Sequence, residues 1–199
     1  MKNMLKLGIV LALYATLACV GLAFVYAGTK TTIEERQKAD LENALKELFP
    51  NGDKFEEITG AVTSPDKAIV FDNQYAARRG SGLIGVAIRA HGASYGGPVV
   101  VLAGIGIDGK LSGVKILENQ DTPGLGANAA SPSYYVNRAS KTTFYGQFTG
   151  KSINDPFEAK NDVIAITAAT ITSKAVASVV KASGQGGSDW LKKNQGGAK

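Results

Sequence analysis

The chain has 199 residues, 44% of them hydrophobic, enough to bury one core of ordinary domain size. Its formal charge of +5 comes from scattered lysines and arginines, with no basic run interleaved with aromatics, which argues against nucleic acid as a partner. A single cysteine, Cys19, and a single histidine, His91, leave no internal disulfide and no cysteine-held metal or iron–sulfur centre, and they argue against a zinc site.

The first element is the uncharged, Leu-, Val- and Ala-rich segment from Leu7 to Ala27. At 1.5 Å per residue it spans roughly 30 Å, about the hydrocarbon thickness of a bilayer. A cleavable signal usually has a shorter apolar run before its small-x-small site. Val25-Tyr26-Ala27 offers such a site, but the length favours a retained single-span anchor. Lys2 and Lys6 on the short side favour a cytoplasmic N-terminus, with residues 30–199 outside the cytoplasm. Next, Thr32-Ile33-Glu34-Glu35 fits a capping box and predicts a stalk helix from Thr32 to about Leu48, ended by Pro50.

From Lys67 the pattern turns to strands: Ala68–Phe71, Leu83–Ala90, then the apolar Pro98–Ile107, which Asp108-Gly109 joins to Leu111–Leu117 as a hairpin. Ser133–Ala139 and Thr142–Phe148 are short helical candidates, and Asp162–Ile166 a short strand. A last helix over residues 173–182 is expected to stop near Gly184, leaving residues 184–199 a flexible tail. Strands and helices do not alternate regularly. The fold class expected is α+β: one transmembrane helix, then one domain with a mainly antiparallel sheet and flanking helices.

Three segments hold more glycine, proline and hydroxyl groups than packing requires: Gly92–Pro98, Asp121–Gly126 and Thr167–Ser173. The third is the most informative. A short apolar stretch, a hydroxyl-and-alanine turn and a strong helix former follow one another, so helix N–H groups and a positive dipole end face whatever lies above the turn. Small side chains at Ala168 and Ala169 admit a bulky anion, with Thr170 and Thr172 beside it. A phosphate is the natural guest. The plainer reading is that Thr170, Thr172 or Ser173 caps the helix. No Ser-His-Asp arrangement, nucleophile elbow or phosphate loop is visible, so chemistry here would be a cofactor's own.

Tyr95-Gly96-Gly97-Pro98, Asp108-Gly109-Lys110, Thr122-Pro123-Gly124-Leu125-Gly126 and Thr167-Ala168-Ala169-Thr170-Ile171-Thr172-Ser173 occur in this order. Together they resemble the FMN-binding domain of the G subunit of the Rnf electron-transport complex. The related C subunit of the sodium-translocating NADH:quinone reductase is similar too, though generally longer. The resemblance covers the anchor and most of residues 60–182. It implies an FMN held covalently by a phosphoester on Thr170 and installed by a separate flavin transferase. Thr167, Ala168, Ala169, Thr172 and Ser173 would surround the attachment. Thr122, Gly124, Leu125 and Gly126 would approach the ring. Tyr95 would either stack on the flavin or anchor its glycine-rich turn. Lys151 would either offset flavin charge or sit solvated. The chain departs from the family pattern at Ala168, usually glycine, and at Ile164, often aspartate, with Asp162 close but out of register.

The organisation implied is a cytoplasmic N-terminus and anchor over 1–29, a stalk helix and connection over 30–60, an FMN-binding domain over 61–183 and the tail. The function implied is that of a subunit relaying electrons inside a membrane-bound, ion-translocating ferredoxin:NAD oxidoreductase, with other membrane subunits and the lipid bilayer as partners and no independent catalytic site. A quinone-reductase C subunit and a membrane-anchored flavin sensor are the alternatives.

Overall fold

A computed structural model describes residues 2–195, which divide into two units between Glu42 and Asn43. The first unit is the larger part of one uninterrupted helix, α1 (Lys2–Leu48). Its side chains from Asn3 to Asp40 are exposed within the chain, and α1 is long and apolar enough to cross a membrane. The expected new start at Thr32 is not there. Gly28 alone costs a helix only about 1 kcal/mol, and no proline or turn pair separates the apolar stretch from the polar one. The helix does end at Leu48, before Pro50.

In the second unit, five strands form an antiparallel meander in the order β1 (Lys54–Glu57), β2 (Val70–Arg79), β3 (Gly82–Ala93), β4 (Pro98–Gly106), β5 (Leu111–Asn119). The Asp108-Gly109 hairpin forms as its sequence predicts: Gly109 takes φ +74, and the Asp108 carboxylate accepts the N–H of Lys110. The unbroken apolar run of β4 reflects burial on both faces. On one face Val99, Val101, Ala103 and Ile105 join the core. On the other, Gly85, Gly104 and Gly113 leave room for Leu48 and Phe49, so the last residues of α1 and the turn after it seal the sheet.

The final helix, α2 (Thr170–Gln195), packs along β3 and β4, burying Val176, Val179, Val180 and Leu191. It runs well past Gly184, so the expected stop is overturned; residues 196–199 of the expected tail lie outside the described residues. Packing overrides glycine's poor helix propensity. A side chain at Gly187 would press on Ile105 and Val86, so glycine there lets the helix lie close to the sheet.

The segment between β5 and α2 is mostly irregular. The two helical candidates are instead a small hairpin, β6 (Tyr135–Asn137) with β7 (Thr142–Thr143), and a single 3-10 turn, Gly146–Phe148. Asn137 redirects the chain by accepting the N–H groups of Ala139 and Ser140. Phe144 and Phe148 have helical spacing, but they meet edge to face at 5.8 Å from a tight turn instead. Of the strand expected over Asp162–Ile166, only Val163 pairs, in an isolated bridge to Ala159. The Asp162 carboxylate accepts the N–H groups of Phe157 and Glu158 and an ion pair from Lys151, which holds this loop without a ladder.

Two substitutions test the continuation of α2. A methyl at Gly184 would make ordinary contact with Ile153. Gly184→Ala should therefore stabilise the detergent-solubilised chain by about 0.5–1 kcal/mol in chemical denaturation. Gly187→Leu should cost about 1–3 kcal/mol by overpacking. No gain at Gly184 would contradict a helix there.

Candidate functional site

The three glycine- and hydroxyl-rich segments converge at one end of the sheet. The β3–β4 turn, the loop after β5 and the start of α2 enclose an open cavity of about 270 Å3. Tyr95 lines it from the first segment, Asp121, Thr122, Leu125 and Gly126 from the second, and Ala168 to Thr172 from the third. Tyr95, Leu125 and Ile171 are exposed at its rim.

Asp121 joins the three segments. Its side chain is buried, with the residue only 4% exposed. One carboxylate oxygen, Oδ2, accepts the Ser94 hydroxyl at 2.6 Å and the Thr172 hydroxyl at 2.5 Å. The other, Oδ1, accepts the N–H of Gly96 at 2.5 Å. Burial alone would raise this carboxyl. The hydroxyls of Ser94 and Thr172 and the N–H groups of Gly96 and Tyr95 outweigh it and hold the group below the usual carboxylate range. Asn119 braces the loop, accepting the Asp121 N–H and donating its amide to the Gly126 carbonyl. Gly126 has no room for a side chain, since a methyl there would strike both Thr172 and Asp121.

The start of α2 sorts its hydroxyls by what they touch. Ser173 is fully buried, accepts the Ile166 N–H and donates to the Ala169 carbonyl, which fixes the turn. Thr172 is buried and donates to Asp121. Thr170, the first residue of the helix, is half-buried on the cavity wall, and its hydroxyl has no hydrogen-bond partner among the described residues. The first N–H groups of a helix also lack partners within it, so Thr170 stands where an anion is favoured.

Ala168 has φ +59, the left-handed region that favours glycine. The turn thus demands the residue type that the family pattern usually supplies there, and alanine occupies it under strain. Ile164 is exposed and lines a second cleft, which shares only Ala168 and Thr170 with the cavity. Thr167 lines that cleft and not the cavity, while Ala169 lines the cavity. Gly124, at φ +79, shapes the loop without lining the cavity.

Lys151 is neither at the cavity nor solvated. Its ammonium donates to the Asp162 carbonyl at 2.8 Å and pairs with the carboxylate at 3.1 Å, with 19% of its side chain exposed. Sequence reasoning did not single out Asp121, Ser94 or Ile171. An acid beside a Thr-Pro-Gly turn reads as an ordinary turn residue, and its burial depends on partners 27 and 51 positions away. His91 pairs with Asp72 at 2.9 Å on the sheet, away from the cavity.

The FMN-binding domain family matches residues 94–184, which include every residue lining the cavity, and the RnfG N-terminal region matches residues 1–48. The G subunit of the Na(+)-translocating ferredoxin:NAD(+) oxidoreductase complex of Acetobacterium woodii is 30% identical over 92% of this chain and 90% of its own length. The chain belongs to this G-subunit family. The G subunit of the proton-translocating ferredoxin:NAD(+) oxidoreductase complex of Clostridium ljungdahlii is 32% identical, over 80% of this chain and 78% of its own. The crystal structure of Shewanella oneidensis NqrC overlaps 69% of this chain and 72% of that one with a TM-score of 0.47 at 16% identity. The G-subunit resemblance read from the motifs therefore holds, as does the α+β fold with its antiparallel sheet.

The residues present suit FMN. An open helix N-terminus and a free hydroxyl answer the phosphate, and Tyr95, Leu125 and Ile171 offer apolar surface to a planar ring.

Two measurements check this geometry. Ala168→Gly should raise stability by about 0.5–1 kcal/mol, as relief of left-handed strain exceeds the added chain entropy. Because the folded Asp121 carboxyl lies below its ordinary value of 3.8, its contribution is present above that pH and fades as pH falls through the folded value. Asp121→Asn should therefore be less stable at neutral pH and lose less stability than the parent between about pH 5 and pH 2.

Proposed function

We propose that this chain is an electron-carrying G subunit of a membrane-bound, ion-translocating ferredoxin:NAD oxidoreductase complex, with FMN joined to Thr170 through a phosphoester. The observation that carries the reading is the sorting of hydroxyls at the start of α2: Thr172 and Ser173 are committed to protein partners, whereas Thr170 has no hydrogen-bond partner among the described residues and lines the cavity and the adjoining cleft. A phosphodiester keeps one negative charge, which the helix N-terminus favours. Bound there, FMN supplies the ability to accept and release electrons.

The chain's own residues hold and shape the site. Ser173 and Asp121 fix the turn, so that Thr170 Oγ1 is offered to the transferase that attaches the flavin. Leu125 and Ile171 would offer apolar surface at the rim, and the open mouth would leave a path for electron exchange with neighbouring subunits. α1 anchors the chain, with the N-terminus in the cytoplasm and the flavin domain outside it. There a covalent bond prevents loss of the cofactor. Ferredoxin and NAD, which the relatives' names give as the substrates of their complexes, would react at other subunits.

The test is flavin fluorescence on the denatured chain after co-expression with a flavin transferase. Fluorescence should be absent in Thr170→Ala and present in Thr172→Val. Fluorescence that washes off the parent chain on denaturation would reject the covalent reading.

A further inference from the structure

Asp121 is the only charged residue among those lining the cavity. It is buried, and its three closest donors, the hydroxyls of Ser94 and Thr172 and the N–H of Gly96, are all neutral. They stabilise the ionised form without cancelling its charge. Among the described residues, no lysine or arginine answers it at the cavity wall. Lys151 is committed to Asp162. Lys160 lines the cleft that shares only Ala168 and Thr170 with the cavity, and Arg138 and Lys141 line a further cleft that shares no residue with it. The helix N-terminus adds partial positive charge, but on the proposed reading it faces a phosphate that is itself anionic.

We propose that the Asp121 carboxylate, beyond its structural ties, holds the reduction potential of the bound flavin low by placing an uncompensated negative charge in the cavity wall. This rests on the reading that Thr170 carries FMN with its ring in this cavity. Full reduction adds two electrons to the ring, delivered by a low-potential electron-carrier subunit. With two protons from solvent at the open mouth the product is neutral, and with one it is anionic. A carboxylate in low-dielectric surroundings disfavours the anionic product. Reduction therefore takes up one proton per electron, and its potential falls with pH across the neutral and mildly alkaline range.

Asp121→Asn removes the charge and keeps the shape. The amide oxygen can still accept the Gly96 N–H, and the amide nitrogen can donate to the Ser94 or Thr172 hydroxyl. Thr172→Val keeps the charge but deprives it of one screening donor. Asp121→Glu restores a carboxylate. Each variant is made as the full-length, flavin-loaded chain in detergent. It is titrated with dithionite and mediators at several pH values while flavin absorbance is followed.

Asp121→Asn should raise the potential and show fewer than one proton per electron at alkaline pH. Thr172→Val should lower the potential, and Asp121→Glu should return it towards the parent. An unchanged or lower potential in Asp121→Asn overturns the inference and leaves the Thr170 reading standing. If Asp121→Asn fails to load flavin, Thr172→Val decides, and a raised potential there overturns the inference. A parent chain that loads no flavin overturns the Thr170 reading, and the inference falls with it.

Discussion

One buried carboxylate organises the functional end of this molecule. Asp121 draws a hydroxyl from the β3–β4 turn and a hydroxyl from the first turn of α2 onto a single oxygen, and a backbone N–H onto the other. A buried, ionised acid is costly unless its lone pairs are filled, so each of the three segments is held by the need to satisfy it. Gly126 and Gly96 follow from the same constraint. A side chain at Gly126 would strike Asp121 and Thr172, and one at Gly96 would press on the Gln120–Asp121 backbone. The cavity is the space left between segments that this carboxylate ties together.

The rest of the domain supplies a rigid base for that tie. β3 and β4 are buried on both faces, by α2 on one side and by Leu48 and Phe49 on the other. The length of α2 matters to the site because the same helix that starts at Thr170 is anchored far away by Leu191, Gly187 and Val180. Its first turn is thereby fixed against the sheet, with its dipole end directed at the cavity. Within the first turn of α2, Thr170 is left as the hydroxyl without a hydrogen-bond partner among the described residues, and that distinguishes it chemically from Thr172 and Ser173.

Much of this was legible in the residues. The apolar segment 7–27, the β4–β5 hairpin with Asp108-Gly109 and the Thr167–Ser173 turn announce themselves through local chemistry, and the structure has them. What escaped was set by distant partners. The continuation of α2 through Gly184, Gly186 and Gly187 contradicts propensity, and it is decided by close packing on Ile105, Val86 and Phe71. The helical candidate Thr142–Phe148 is instead a short strand and one tight turn, from which Phe144 and Phe148 meet edge to face. Lys151 had no visible partner in sequence because Asp162 lies across a loop with non-helical, non-strand geometry. At the site itself, Thr170 was visible from the chemistry of its own turn, whereas Thr122, Leu125 and Gly126 came from motif resemblance. Asp121, which aligns them, is an unremarkable acid until its partners are in place.

The most direct test is tandem mass spectrometry of the chain purified from cells that contain its flavin transferase. The account predicts one FMN, joined through its phosphate, on the peptide containing residues 166–174, with fragment ions assigning it to Thr170. An unmodified peptide, or the same mass on Thr172, Ser173 or Thr122, would contradict it.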